Sequence, residues 1–148
     1  MPFVRRLDLI KPGHTYNAAC HCGSVQFRVT ISDNDKPPRR CTCSLCRMRG
    51  AAAVSAPLDG IEFLKGEDML TKYQFGTMTA EHYFCSKCGI YTHHKRRSNP
   101  NEYGVNVACF EGVSPFDFEE IVVFDGVNHP KDSDGASNIA GYLRFTKE

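Results

Sequence analysis

A chain of 148 residues, 41% hydrophobic and 24% charged, has the make-up of one globular domain and excludes a fibrous or disordered polymer. A formal charge of +1 and a pI near 7.6 give no overall reason to expect nucleic acid or an anionic membrane as partner. The opening "MPFVRRLDLIKPGH" lacks the apolar run of about 7–15 residues that a signal peptide needs, and no uncharged stretch of about 18 residues occurs, so the expectation is a soluble cytoplasmic protein.

In chain order, "SVQFRVTI" at 24–31 alternates Val25, Phe27, Val29 and Ile31 against polar neighbours, the period of a half-buried strand. "SDNDKPPRR" breaks it with turn formers and two prolines, and the next cysteines are expected on the loop that follows. "SLCRMRGAAA" has helical composition. "GIEFLKG", "LTKYQFGT" and "AEHYFC" read as short strands, and "FCSKCGIY" opens another through Gly89. "EYGVNVACF" alternates through Tyr103, Val105 and Val107, "EEIVVFDG" and "GYLRF" complete the strands, and "DSDGASNIAGYL" is a second short helical candidate. Many brief strands between turn signals predict a mainly β domain of one or two twisted sheets.

Seven of the eight cysteines fall into three groups: Cys20 and Cys22, then Cys41, Cys43 and Cys46, then Cys85 and Cys88. In a reducing compartment such clustering points to metal ligation or reactive thiols rather than disulfides. A closed structural zinc site takes four ligands. C-x-C at 20–22 with C-x-x-C at 85–88 supplies four thiolates from strand-end turns. Cys41, Cys43 and Cys46 remain as three ligands, the pattern of a catalytic zinc with an open position. A zinc dication with three thiolates carries −1, which Arg39, Arg40, Arg47 and Arg49 could offset, or they form a solvated face. Thr42 and Ser44 have hydroxyls able to donate to the sulfurs. A closed second site would need Cys109 or one of His14, His21, His82, His93, His94 and His129, and Cys109 reads as a core residue. "HHKRR" at 93–97 is the one concentrated positive run, able to hold substrate carboxylates or phosphates but read first as a solvated turn, and "DGVNHP" at 125–130 reads first as a turn with His129 as an acid/base candidate.

"CHCGSVQF", "CTCSLCRMRGA" and "HYFCSKCGIYTH", in this order and at these separations, resemble the glutathione-dependent formaldehyde-activating enzyme (GFA) family, also called CENP-V, over roughly residues 16–130 of a single domain spanning 1–148. The resemblance implies a mainly β fold similar to the Mss4-like tent. It implies a structural zinc on Cys20, Cys22, Cys85 and Cys88 and a second zinc on Cys41, Cys43 and Cys46, thus two zincs per chain. The implied activity is that of a carbon–sulfur lyase joining formaldehyde to glutathione as S-hydroxymethylglutathione, with a small-molecule thiol as partner and neither nucleic acid nor membrane. Thr42 stands where the family often has Asn. Either the metal ionises a substrate thiol that attacks the carbon, or it polarises the carbonyl while a free thiolate attacks. Two other classes compete with the enzyme: a binding module shaped by zinc, and a zinc or redox sensor.

Overall fold

The computed structural model describes residues 9–33, 37–128 and 138–148. Two sheets make up the chain. Strands β1 (Thr15–Ala19), β2 (Gln26–Thr30) and β5 (Ile61–Lys65) form a three-stranded antiparallel sheet with β2 in the middle. The larger sheet runs β11-β10-β3-β4-β9-β8-β7-β6. Its strands are β3 (Arg39–Cys41), β4 (Ala53–Pro57), β6 (Leu70–Tyr73), β7 (Glu81–Cys85), β8 (Tyr91–Lys95), β9 (Glu102–Asn106), β10 (Glu120–Phe124) and β11 (Ile139–Arg144). All neighbours are antiparallel except β3 and β10, which run parallel.

The alternation in "SVQFRVTI" has its expected effect: Val25, Phe27 and Val29 are fully buried while Gln26 and Arg28 face solvent. They share one apolar cluster with Val54 and Ala56 of β4 and Val105 of β9, so the small sheet closes over the large one. Removing a buried phenylalanine from such a cluster costs about 3–5 kcal/mol, which makes Phe27 a main determinant of the packing.

Three expectations need correction. The helical stretch from 44 ends early: α1 spans Ser44–Arg49 and stops at Gly50, whose φ of 71° supplies the left-handed cap. Ala53 then enters β4, whose residues Ala53 to Ala56 are all buried, because small side chains let a central strand pack on both faces. The second helical candidate is a strand in its described part, β11, paired along β10; residues 129–137 lie outside the described residues. Finally, the middle cysteines are not on a loop: Cys41 ends β3, Cys43 is the N-cap of α1 and Cys46 lies within it.

The run "HHKRR" is likewise no solvated turn. His93 and His94 belong to β8, with His93 buried and stacked on Tyr83 at 4.6 Å with Tyr103 edge-on at 5.3 Å. Burial pushes His93 down to about 4 from an ordinary 6.5. Because the unfolded chain binds the extra proton first, the stabilisation is complete above pH 6.5 and is lost as pH falls toward 4. In denaturant unfolding, the protein is expected to lose on the order of 3 kcal/mol more than a His93→Phe variant across that window; equal pH slopes would contradict the buried neutral imidazole.

Candidate active site

Each pair of the first cluster sits on a tight turn at a strand end. Gly23 and Gly89 take φ of 76° and 77°, which a side chain would resist, and their N–H groups donate to the carbonyls of Cys20 and Cys85 at 3.1 and 2.8 Å. The Val25 N–H points at Cys20 Sγ at 3.3 Å, and the Ser24 hydroxyl lies 3.2 Å from Cys22 Sγ. These contacts set the two sulfurs apart: burial pushes the Cys20 thiol up to about 11, whereas Ser24 holds Cys22 down at about 6. The ligand atoms of Cys20, Cys22, Cys85 and Cys88 all lie within 4.8 Å of one another.

Two of the spacings allow a test of fit. Cys22 Sγ is 3.7 Å from Cys20 Sγ and 3.8 Å from Cys85 Sγ. Metal–sulfur bonds of about 2.3 Å in a tetrahedron put neighbouring sulfurs about 3.8 Å apart, whereas a disulfide needs about 2.05 Å. This cluster therefore fits a metal ion of zinc's size and softness, with all four sulfurs supplied by the chain.

The second cluster forms where β3 runs into α1. Cys41, Cys43 and Cys46 bring their sulfurs within 4.8 Å of one another, and no further Cys, His, Asp or Glu joins them among the described residues. Backbone N–H groups of Cys43 and Cys46 point at the sulfurs of Cys41 and Cys43, each at 3.4 Å. Hydrogen bonds from Cys41 and Cys46 hold the Cys43 thiol far below its ordinary value, while the same contacts and burial push Cys46 up. This donor set fits a thiophilic metal with three of four positions filled.

The end of β10 closes over this loop. The Gly126 N–H donates to Thr42 Oγ1 at 3.0 Å, and a Cβ at Gly126 would fall 2.1 Å from Cys41 Sγ. Thr42 therefore fastens one strand to the other rather than facing a sulfur.

The three sulfurs open onto a cavity of about 950 Å³. Arg39, Arg40, Arg47, Arg49, Arg96 and Arg97 line it, with Glu102 and Asp125 as the acidic counterweight. Three of the five residues of the "HHKRR" run, His94, Arg96 and Arg97, thus belong to this wall rather than to solvent. Arg39 and Arg96 both donate to Ser55 Oγ, Arg96 at 3.0 Å. Arg49 lies 3.6 Å over the Tyr91 ring, reaches Cys46 Sγ at 3.5 Å and meets His82 Nδ1 at 3.0 Å. His82 and His94 line the cavity too, whereas His93 faces the aromatic core. Cys109 is buried with its thiol on the Tyr91 carbonyl at 3.6 Å, as expected of a core cysteine. His14 and His21 are exposed, and His129 lies outside the described residues. Asp125 forms the expected turn, accepting from the N–H groups of Val127 and Asn128 at 3.0 and 3.1 Å. Tyr91 escaped notice in the sequence because nothing local links it to residues 41–46, whereas Arg96 and Arg97 stood in the "HHKRR" run, whose place on the same cavity has no local sign.

The sequence model of the glutathione-dependent formaldehyde-activating enzymes matches residues 15–122. The chain belongs to this family. A Halomonas elongata protein whose name provisionally assigns it to glutathione-dependent formaldehyde activation is 36% identical over 78 residues, 47% of this chain and 49% of its own length. The chain thus matches about half the length of that curated relative. A Rhodobacter sphaeroides protein of known crystal structure is 55% identical with a TM-score of 0.66, over 68% of this chain and 93% of that one. The GFA match takes in all seven clustered cysteines. Among the described residues no helix is long and apolar enough to cross a membrane.

Because contacts behind a ligand sulfur typically change metal affinity about 10–100-fold, Gly126→Ala is expected to weaken metal binding at the three-sulfur cluster by at least about tenfold in a competitive chelator titration. The four-sulfur cluster should keep its affinity, and loss at both would mean a global rather than local effect.

Proposed function

We propose that the chain is a zinc-dependent enzyme of the carbon–sulfur lyase type that forms and cleaves the adduct of a thiol with an aldehyde, with glutathione and formaldehyde as the pair giving S-hydroxymethylglutathione. The observation that carries the reading is the three-sulfur cluster of Cys41, Cys43 and Cys46 on the wall of an arginine-lined cavity. In this reading Cys20, Cys22, Cys85 and Cys88 hold a zinc that serves the fold, and Cys41, Cys43 and Cys46 hold a second zinc that serves the reaction. Domain extent follows the same reading: one GFA-type domain over 1–148 with its core at about 16–130, acting in the cytoplasm.

Bound zinc supplies Lewis acidity that lets a substrate thiol, ordinarily near pKa 8.5, reside as thiolate at neutral pH. The protein's own residues do the rest. The arginines offset the negative charge that three cysteine thiolates and an entering thiolate bring together, and their guanidinium groups match the carboxylates of a peptide thiol. Arg49, fixed against Tyr91 and Cys46, holds its charge next to the cluster. A cavity of about 950 Å³ accommodates a tripeptide-sized ligand, since small-molecule sites run to about 300–1,000 Å³. The concave, lined space favours a small substrate over the flat face that a binding module would present.

Protein purified under reducing conditions should contain two zincs per chain, falling to one in Cys43→Ala with circular dichroism unchanged, whereas Cys85→Ala should lose its cooperative unfolding transition. Retained zinc in Cys43→Ala, or its unfolding, would assign the second cluster a structural role. Glutathione at millimolar concentration should perturb amide resonances of residues 41–49 in the wild type; an unperturbed spectrum would sink glutathione as the thiol.

A further inference from the structure

We propose that His82 is a catalytic residue whose Nε2–H hydrogen-bonds the oxygen of the aldehyde and of the adduct formed from it. The inference rests on the reading of the cavity as the place where a thiol adds to a carbonyl, and it starts from one contact. Arg49 Nη1 lies 3.0 Å from His82 Nδ1, and a guanidinium only donates. His82 Nδ1 is therefore the acceptor, and the proton of the neutral ring must sit on Nε2.

Position and rigidity agree with the role. His82 lines the same cavity as the three sulfurs, and the other arm of the same guanidinium reaches Cys46 Sγ at 3.5 Å, so one planar group spaces the ring from the sulfur cluster. The ring is held in plane between Phe75 at 5.9 Å and His94 at 5.3 Å, both at 23°. Arg49 is itself fixed on the Tyr91 face. Burial, and then the charge of Arg49, push His82 down to about 4, so the imidazole is neutral at physiological pH. A neutral imidazole fixed in this way polarises a carbonyl without carrying a charge of its own.

In the forward step the thiolate's electron pair forms the C–S bond and the C=O π pair moves to oxygen. Nε2–H stabilises that oxygen while it takes up the proton the thiol released to solvent. In reverse, the hydroxyl proton returns to solvent, the C=O bond re-forms and sulfur leaves with the bonding pair. His82 stays neutral throughout, and nothing is oxidised or reduced.

His82→Phe keeps the stacking surface and removes the donor. With the spontaneous rate subtracted, kcat for S-hydroxymethylglutathione formation should fall about 100-fold, the usual effect of deleting one oxyanion donor. Zinc content and glutathione affinity should stay within about twofold, and His82→Gln should recover part of the rate. A His82→Phe enzyme that keeps its kcat overturns the proposal. Imidazole ¹⁵N shifts of the unmutated protein decide the matter if the variant does not fold: Nε2–H is expected, and an Nδ1–H tautomer overturns the proposal. A wild type that binds glutathione without accelerating adduct formation overturns the functional reading and the role of His82 with it. That outcome is distinct from failure of His82 alone, where the wild type remains active.

Discussion

The approach of Cys22 Sγ to Cys85 Sγ, 3.8 Å apart across 63 residues, is the contact on which the architecture turns. It joins the turn between β1 and β2 in the small sheet to the turn between β7 and β8 in the large one. Apart from this cluster, the small sheet is connected to the rest by the apolar layer, by the isolated bridge between Ala18 and Phe110, and by backbone hydrogen bonds such as that from the Ser32 N–H to the Ser55 carbonyl of β4 at 3.0 Å. Closing a loop of that length costs entropy that grows only slowly with length. A metal bound by both turns would offset it many times over. The two glycine turns make the approach attainable, because each aims its sulfurs without strain.

The second cluster has no such embedding. Helix α1 is six residues long and buries none of them, and a helix so short has little stability of its own. It is held from outside: by the sulfur contacts of Cys43 and Cys46, by Arg49 on the Tyr91 ring, and by Gly126 and Thr42 fastening β10 to the end of β3. The parallel pairing of β3 with β10 is what delivers Gly126 to Cys41. Sheet topology thus does for the three-sulfur cluster what sequence proximity does for its cysteines.

How much of this was legible in the sequence depended on the range of the interaction. The alternation of Val25, Phe27 and Val29 named a strand face outright, and cysteine spacing sorted the sulfurs into the groups that converge in space. The alanines at 51–53 read as helix because alanine favours helices on its own. In β4 that preference gives way to burial, where small side chains are what two-sided packing needs. "HHKRR" failed for a related reason: a charge run is usually wet, and only the pairing of β8 with β7 and β9 turns His93 to the core and His94 to the cavity. The link from Arg49 to His82, 33 residues apart, has no local signature at all.

The distribution of charge closes the argument about chemistry. A chain with a formal charge of +1 places, among the described residues, six arginines and two acidic residues around one cavity. Such crowding of cations is unfavourable unless something negative resides among them. Three cysteine sulfurs in contact meet part of that need when ionised, and a dication held by them would cancel much of it. What the arginines then favour is an anionic visitor, in a space where histidine remains neutral because burial, and after it the same cations, oppose its protonation. Among the described residues the four-sulfur cluster has no such cationic wall: Cys20 and Cys85 are 4% and 0% exposed within the apolar core, while Cys22 is exposed and Cys88 half-buried at the surface of the turns. Identical donor atoms therefore stand in different surroundings, one set joining the turns of two sheets and the other on the wall of a cationic cavity.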